Sequence, residues 1–344
     1  ASRFVFRKQK PMNTQTLPGP SRISAVDAIR GLALFGILFA NVPLLHDSSQ
    51  LYQSGTAAIG SPRADNGLYF LFQLLVERKF VTIFSILFGF GFYMQMQNAA
   101  EGTIDFRSRF VRRMLVLLLI GTLHAYFVWN GDIVRNYALC GILLLAVRRW
   151  PANRLLKAAI LFSVFASTAT FLVYKAFDLE QYPFDTSLFG TQYTVRSYFQ
   201  YLWVNWRTDT FTNFLQATPL TLLFCFSNML LGFYLGRIQF FQQPQQFSSV
   251  RKWLIILGFS AGVVCSYLFI QMNNGTLVIT PGLLWLPFLI VGGLLLQSLA
   301  YISLVMHWQK KSWVQKMSAV FAAVGRMALS NYVFQSVCYV LLFA

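Results

Sequence analysis

Of 344 residues only 11% are charged and 56% are hydrophobic, whereas a soluble domain carries about 25% charged side chains. That composition excludes a soluble globular domain, and the absence of ten-residue dyad alternation excludes a membrane β-barrel. The formal net charge of +17 sits in short runs between apolar stretches, with no basic stripe interleaved with stacking aromatics, so nucleic-acid binding is excluded as well.

The remaining class is an all-α, polytopic transmembrane helix bundle. A helix needs ~20 apolar residues to cross ~30 Å of hydrocarbon, and nine stretches meet that need: 26–46, 68–97, 110–129, 132–148, 155–175, 213–236, 251–272, 282–305 and 325–343. Residues 1–24 form a basic tail without the apolar core of a signal peptide; Met12 reads as a native start, with residues 1–11 as an addition ahead of it. Residues 25–344 form one transmembrane domain. With the N-terminus cytoplasmic, 20 of the 28 Lys and Arg residues fall on the inner side, as the positive-inside rule requires. Two outer segments, 47–66 and 176–210, interrupt the bundle, and the aromatic run "YTVRSYFQYLWVNW" in the second suits an interfacial segment. The chain shows no internal repeat and no broken-helix pair of the kind that builds transporter sites. The last span ends in "CYVLLFA" without a polar anchor, which leaves open whether more helices follow Ala344 or the chain ends flush with the outer face.

Ionisable side chains inside spans are costly and mark cavities or pathways. Here they gather toward the outer third: Asn41 and His46 on the first span, Glu77, Arg78 and Lys79 on the second, His124 on the third, Asp132 and Arg135 on the fourth. "WNGD" is a turn signal, so the third and fourth spans form a hairpin that brings His124, Asp132 and Arg135 within reach of one another. Asp132 has two readings, a cap for the fourth helix and an orienting partner for a general-base imidazole. His124 likewise reads either as that base or as a helix–helix hydrogen bond. Arg112, Arg113, Arg148 and Arg149 serve either as topology determinants or as phosphate ligands; Arg326, ahead of Asn331 and Tyr332, either faces an anionic group or snorkels to the interface. "FGFGF" and "GFYLG" allow close helix approach. Cys140, Cys225, Cys265 and Cys338 lie on separate spans without metal-ligand spacing, and no metal site is expected.

The blocks "SAVDAIRGLALFGILFAN", "FVTIFSILFGFGFYMQM", "RRMLVLLLIGTLHAYFVWNGDIVRNYALCGILL" and "VGRMALSNYVFQS" resemble the YeiB-like family of bacterial inner-membrane proteins, the domain of unknown function 418. The third carries that family's "GxxHxxxxWxGD" pattern on Gly121, His124, Trp129 and Asp132. The opening Asp27, Arg30 and Gly31 is similar to that of the wider transmembrane acyltransferase group, which includes heparan-α-glucosaminide N-acetyltransferase. This distant similarity implies acyl transfer from a cytoplasmic acyl-CoA, acetyl-CoA included, to a hydroxyl or amine at the outer face, with no resident cofactor. The lysosomal enzyme has a functional Asn at the position of Asn41, where O-acyltransferases often carry a catalytic His. The base therefore has to come from elsewhere, and Tyr52 at the spacing of the lysosomal enzyme's His is a poor substitute at neutral pH. The resulting expectation is His124 as base, Asp132 as its partner and Asn41 as oxyanion donor, with Asp27, Arg30, His46, Lys79, Trp129, Arg135, Arg112, Arg113, Arg326 and Asn331 binding donor or acceptor. The expected partners are membrane lipids and a small-molecule or envelope-glycan acceptor. The alternatives are a transporter or channel for a polar or anionic solute, and a non-catalytic structural subunit.

Overall fold

The computed structural model describes residues 23–46, 62–100, 105–129, 131–176, 198–208, 218–277, 279, 281–283, 285–309 and 311–343. These form helices throughout: α1 (Ser24–His46), α2 (Pro62–Leu75), α3 (Lys79–Ala100), α4 (Phe106–Phe127), α5 (Val134–Ala146), α6 (Ala152–Ala176), α7 (Tyr198–Thr208), α8 (Thr218–Arg237), α9 (Ser248–Phe259), α10 (Ala261–Asn273), α11 (Leu286–Trp308), α12 (Ser312–Arg326) and α13 (Ala328–Phe343), with a short 3₁₀ turn at Pro281–Leu283. The protein is thus a polytopic helical membrane protein. Among the described residues, five stretches are long and apolar enough to cross a bilayer alone: Ser24–Asn41, Phe106–Phe127, Pro219–Arg237, Ser248–Asn273 and Leu286–Trp308. The bent pair α12–α13 makes a sixth if counted as one span. The nine-span expectation also counts α3, α6 and the 13-residue α5, whose length at 1.5 Å per residue covers only about 20 Å.

The core is built on α8, which packs against α3, α5 and α6, while α1 packs along α12 and α3, and α11 along α9 and α10. At the α3–α8 crossing a Cβ on Gly89 would run into the Met229 carbonyl, and one on Gly232 into the Ile86 carbonyl. Both positions need glycine for backbone contact, the small-residue packing that lipid-embedded helices rely on. Gly232→Ala is expected to cost about 1–3 kcal/mol by overpacking, seen as a lower melting temperature in detergent; an unchanged transition would refute the close crossing.

Three spans are broken where the sequence reads as continuous. The predicted 68–97 span unwinds at residues 76–78, where Arg78 adopts φ 64°. The polar run Glu77–Arg78–Lys79 lies at that break. Lys79, only 1% exposed, donates from Nζ to the Gln73 carbonyl at 2.8 Å. α11 satisfies the other opened carbonyls: Gln297 Nε2 to Leu74 at 3.1 Å, Tyr301 Oη to Leu75 at 2.9 Å and Ser298 Oγ to Lys79 at 3.3 Å. Freed carbonyls in lipid need such partners. The 251–272 span breaks at Ser260, whose hydroxyl bonds back to Ile256 at 2.7 Å. The expected last span, 325–343, is the second arm of a bent pair; its first arm begins at Ser312 and the two meet at 81° around Met327. A broken helix is therefore present, against the expectation of none. Asn331 holds it by donating from Nδ2 to the Val324 carbonyl at 2.9 Å.

Of the outer segments, residues 47–61 and 177–197 lie outside the described residues, as does the basic tail to residue 22. The remainder of 176–210 contains α7, with Phe199, Trp203 and Trp206 exposed as an interfacial helix requires. Tyr198 Oη donates to the Phe127 carbonyl at 2.9 Å, seating α7 on the end of α4.

Candidate functional site

α4 starts at Asp105, whose carboxylate accepts from the Arg107 and Ser108 amides at 3.1 and 3.2 Å and the Ser108 hydroxyl at 2.8 Å. The Ser108 hydroxyl, followed by the two amides, holds this carboxyl below its ordinary range. At the far end the His124 carbonyl accepts from the Val128 and Trp129 amides, both at 2.8 Å, closing the helix before the turn. α5 then returns along α4, so that Gly141 faces Met114 while Gly121 faces Arg135.

That hairpin brings His124 and Asp132 together. Asp132 Oδ2 accepts from the Arg135 amide at 3.0 Å and lies 3.8 Å from Arg135 Nε. Oδ1 lies 3.1 Å from His124 Nδ1, with the two side chains 0% and 1% exposed. One oxygen thus accepts from the first turn of α5, as the capping reading requires, while the other faces the imidazole. Gly121 makes this possible, since a Cβ there would lie 2.8 Å from both the Arg135 amide and Asp132 Oδ2. Arg135 is buried, with its guanidinium carbon 5.8 Å from the Tyr126 ring centroid. Trp129 is buried beside the turn. His124 Nδ1 and Nε2 and Asp132 Oδ1 are all buried without an aligned hydrogen bond, so the His124–Asp132 approach is a close polar contact, and the Tyr332 ring packs on the imidazole with centroids 5.2 Å apart.

Tyr332 also lines a cavity of about 1050 Å³. Its mouth carries Arg30, Arg109, Arg112, Arg113 and Arg326, with Gln95 and Asn98. Its wall is Leu34 and Ile37 from α1, Phe84 and Leu87 from α3, and Leu117 and Ile120 from α4; Val134, Tyr137 and Tyr332 line it away from the arginines. From Arg112 to Ile120 this spans about 12 Å of helix rise. At the mouth Asp27 pairs with Arg30 at 3.0 Å, and Arg113 Nη1 donates to Gln95 Oε1 at 3.0 Å. The bend between α12 and α13 lines the cavity through residues 325–330, adding the N-terminal amides of α13 to the arginine side.

Of the residues singled out from sequence, two groups therefore form: His124, Asp132 and Arg135 at one end, and Asp27, Arg30, Arg112, Arg113 and Arg326 at the other. Lys79 belongs to neither; its ammonium closes the end of α2. Asn331 holds the α12–α13 bend. Asn41 is half-buried on α1 and is not among the contacts of His124, which run to Asp132 and Tyr332. The side chain of His46 lies outside the described residues. The residue that sequence reading passed over is Tyr332: a straight last span places it in the inner half beside Arg326, whereas the bend carries it to the imidazole. Among the described residues no three His, Cys, Asp or Glu side chains gather closely enough to hold a metal ion.

Residues 235–344 match the family model "Protein of unknown function (DUF418)". An uncharacterized protein, YxaH, from Bacillus subtilis strain 168 is 28% identical over 92% of this chain and 80% of its own length. The uncharacterized protein YeiB from Escherichia coli K12 is 32% identical over 34% of this chain and 29% of its own. The C-terminal third of the chain is thus similar to DUF418, and the chain is similar to YxaH and YeiB. The segment that matches DUF418 includes Arg326, Asn331 and Tyr332, while His124 and Asp132 lie ahead of it. The names of these relatives assign no activity, and no solved structure matches.

Proposed function

We propose that this membrane protein is an acyltransferase moving an acyl group from an acyl-CoA-type donor to a hydroxyl or amine on the opposite face of a bacterial inner membrane. One observation supports the reading above others: a single cavity runs from five arginines to Tyr332, and Tyr332 is the ring that covers His124. The donor's phosphates bind Arg112, Arg113 and Arg326 at the cytoplasmic end, where planar guanidinium groups match phosphate oxygens. The thioester end runs up the shaft, and rotation of Tyr332 exposes Nε2 to it. Nε2 of His124 takes the proton of the acceptor as its oxygen or nitrogen attacks the thioester carbonyl. The tetrahedral intermediate collapses, the C–S bond breaks, and the proton passes from the imidazolium to the departing thiolate. Asp132 fixes the tautomer with the proton on Nδ1 and stabilises the imidazolium. Asn41 steadies the oxyanion, its distance to the carbonyl set by the bound donor.

Replacing Arg112 and Arg113 together by Gln is expected to weaken acyl-CoA binding by about tenfold or more, the worth of one charge-assisted contact or two, as read by calorimetry on protein in nanodiscs. If the wild type binds no acyl-CoA at high micromolar concentration, the donor assignment fails.

The bent pair α12–α13 favours a second reading, in which the same cavity passes an anionic solute, because unwound helices with cationic termini form such sites in transporters. Uptake into proteoliposomes without any acyl donor separates it from transfer.

A further inference from the structure

A second cluster of arginines stands apart from the cavity. Arg237 ends α8 and donates from Nη2 to the Arg148 carbonyl at 2.7 Å, which joins the ends of α5 and α8. The next turn, residues 238–247, leads to Arg251 on α9. Arg251 is 3% exposed, and its Nε and Nη1 have no hydrogen-bond partner. Its guanidinium carbon lies 5.7 Å from the Phe240 ring centroid, and Phe240 in turn packs on Phe247 at 5.4 Å. Nε of Arg237 is unpartnered too.

The cations here have no carboxylate within their own elements. No Asp or Glu occurs between residues 133 and 177 or between 210 and 344, so α5, α6 and α8–α13 carry none. Buried charges are otherwise paired, since an uncompensated one is among the costliest features a fold can hold. An aromatic face offsets part of that cost but accepts no N–H bond from Nε and Nη1.

We infer that the turn between α8 and α9 is a binding site for a phosphate-bearing anion, with Arg251 and Arg237 as its ligands, and that the anion is the headgroup of an acidic phospholipid. The location decides between lipid and soluble phosphate. The turn closes the same end of the bundle as Arg148, Arg112 and Arg113, α9 enters the membrane directly from Arg251, and Trp253, two residues on, is 62% exposed at bilayer-anchoring depth. Basic pockets between helices at this level take acidic headgroups. The site does not rest on acyl transfer: neither Arg237 nor Arg251 lines the cavity, although Phe241 and Gln242 of the turn touch Phe90 and Met94 of its wall.

Native mass spectrometry of the detergent-solubilised protein, titrated in turn with phosphatidylglycerol, phosphatidylcholine and inorganic phosphate, tests this. The wild type is expected to retain phosphatidylglycerol and lose phosphatidylcholine. Arg251→Gln is expected to weaken that retention about tenfold, the loss of one charge-assisted hydrogen bond, while Lys252→Gln, its exposed neighbour, leaves it unchanged. Should Arg251→Gln fail to fold, Arg251→Lys keeps the charge but not the fork and is expected to lose most of the rise in melting temperature that phosphatidylglycerol gives the wild type. Equal retention of both lipids, retention by Arg251→Gln as strong as the wild type, or displacement of phosphatidylglycerol by inorganic phosphate would overturn the inference.

Discussion

Asp132→Ala is expected to destabilise the protein more than any other substitution in the α4–α5 hairpin. The carboxylate caps α5 through the Arg135 amide, and losing such a cap costs about 1 kcal/mol. It also lies 3.8 Å from Arg135 Nε in a site where the arginine side chain is 2% exposed. Removing the carboxylate beside a buried guanidinium costs up to about 3–5 kcal/mol. Asp132→Asn keeps the shape and an oxygen for the Arg135 amide, so it is expected to recover the cap without returning the negative charge. A thermal melt in detergent should therefore rank wild type above Asn and Asn above Ala. Equal melting temperatures for the two variants would mean that Arg135 does not depend on the negative charge.

His124→Ala separates chemistry from folding. General-base catalysis contributes about 10²–10⁴-fold, and turnover is expected to fall by that factor, measured as CoA thiol released in proteoliposomes supplied with acceptor. The imidazole fills space between Asp132 and Tyr332, so the variant is expected to melt somewhat lower yet still fold. Activity that tracks the folded fraction alone would make His124 a structural residue and remove it from the reaction.

The hairpin was legible because its signals are local. "NGD" marks the turn, apolar runs flank it, and antiparallel helices of this length oblige residues eight apart across the turn to meet. The breaks were not legible, because distant residues hold them. Carbonyls at Leu74, Leu75 and Lys79 find their donors on Gln297, Tyr301 and Ser298, more than 200 residues later. Hydropathy sees 68–97 as one apolar run with a charged flaw, and that flaw is the joint. The α12–α13 bend escaped notice for a different reason. Its first arm, "SWVQKMSAVFAAVGR", is too polar to read as a span and gains its burial from α1. The cavity depends on how helices splay, which no periodicity reports, so the arginines were legible as a topological signal while their convergence on one mouth was not. Tyr332 follows from the bend and was hidden with it.

Labelling with a photoreactive acyl-CoA whose reactive group sits at the end of the acyl chain tests the central claim most directly. The label is expected to saturate, to map to residues around Ile120 and Tyr332 at the end of the shaft away from the arginines, and to be competed by unmodified acyl-CoA. Non-saturable labelling, or labelling confined to bilayer-facing positions such as Leu119, which is 59% exposed, would contradict it.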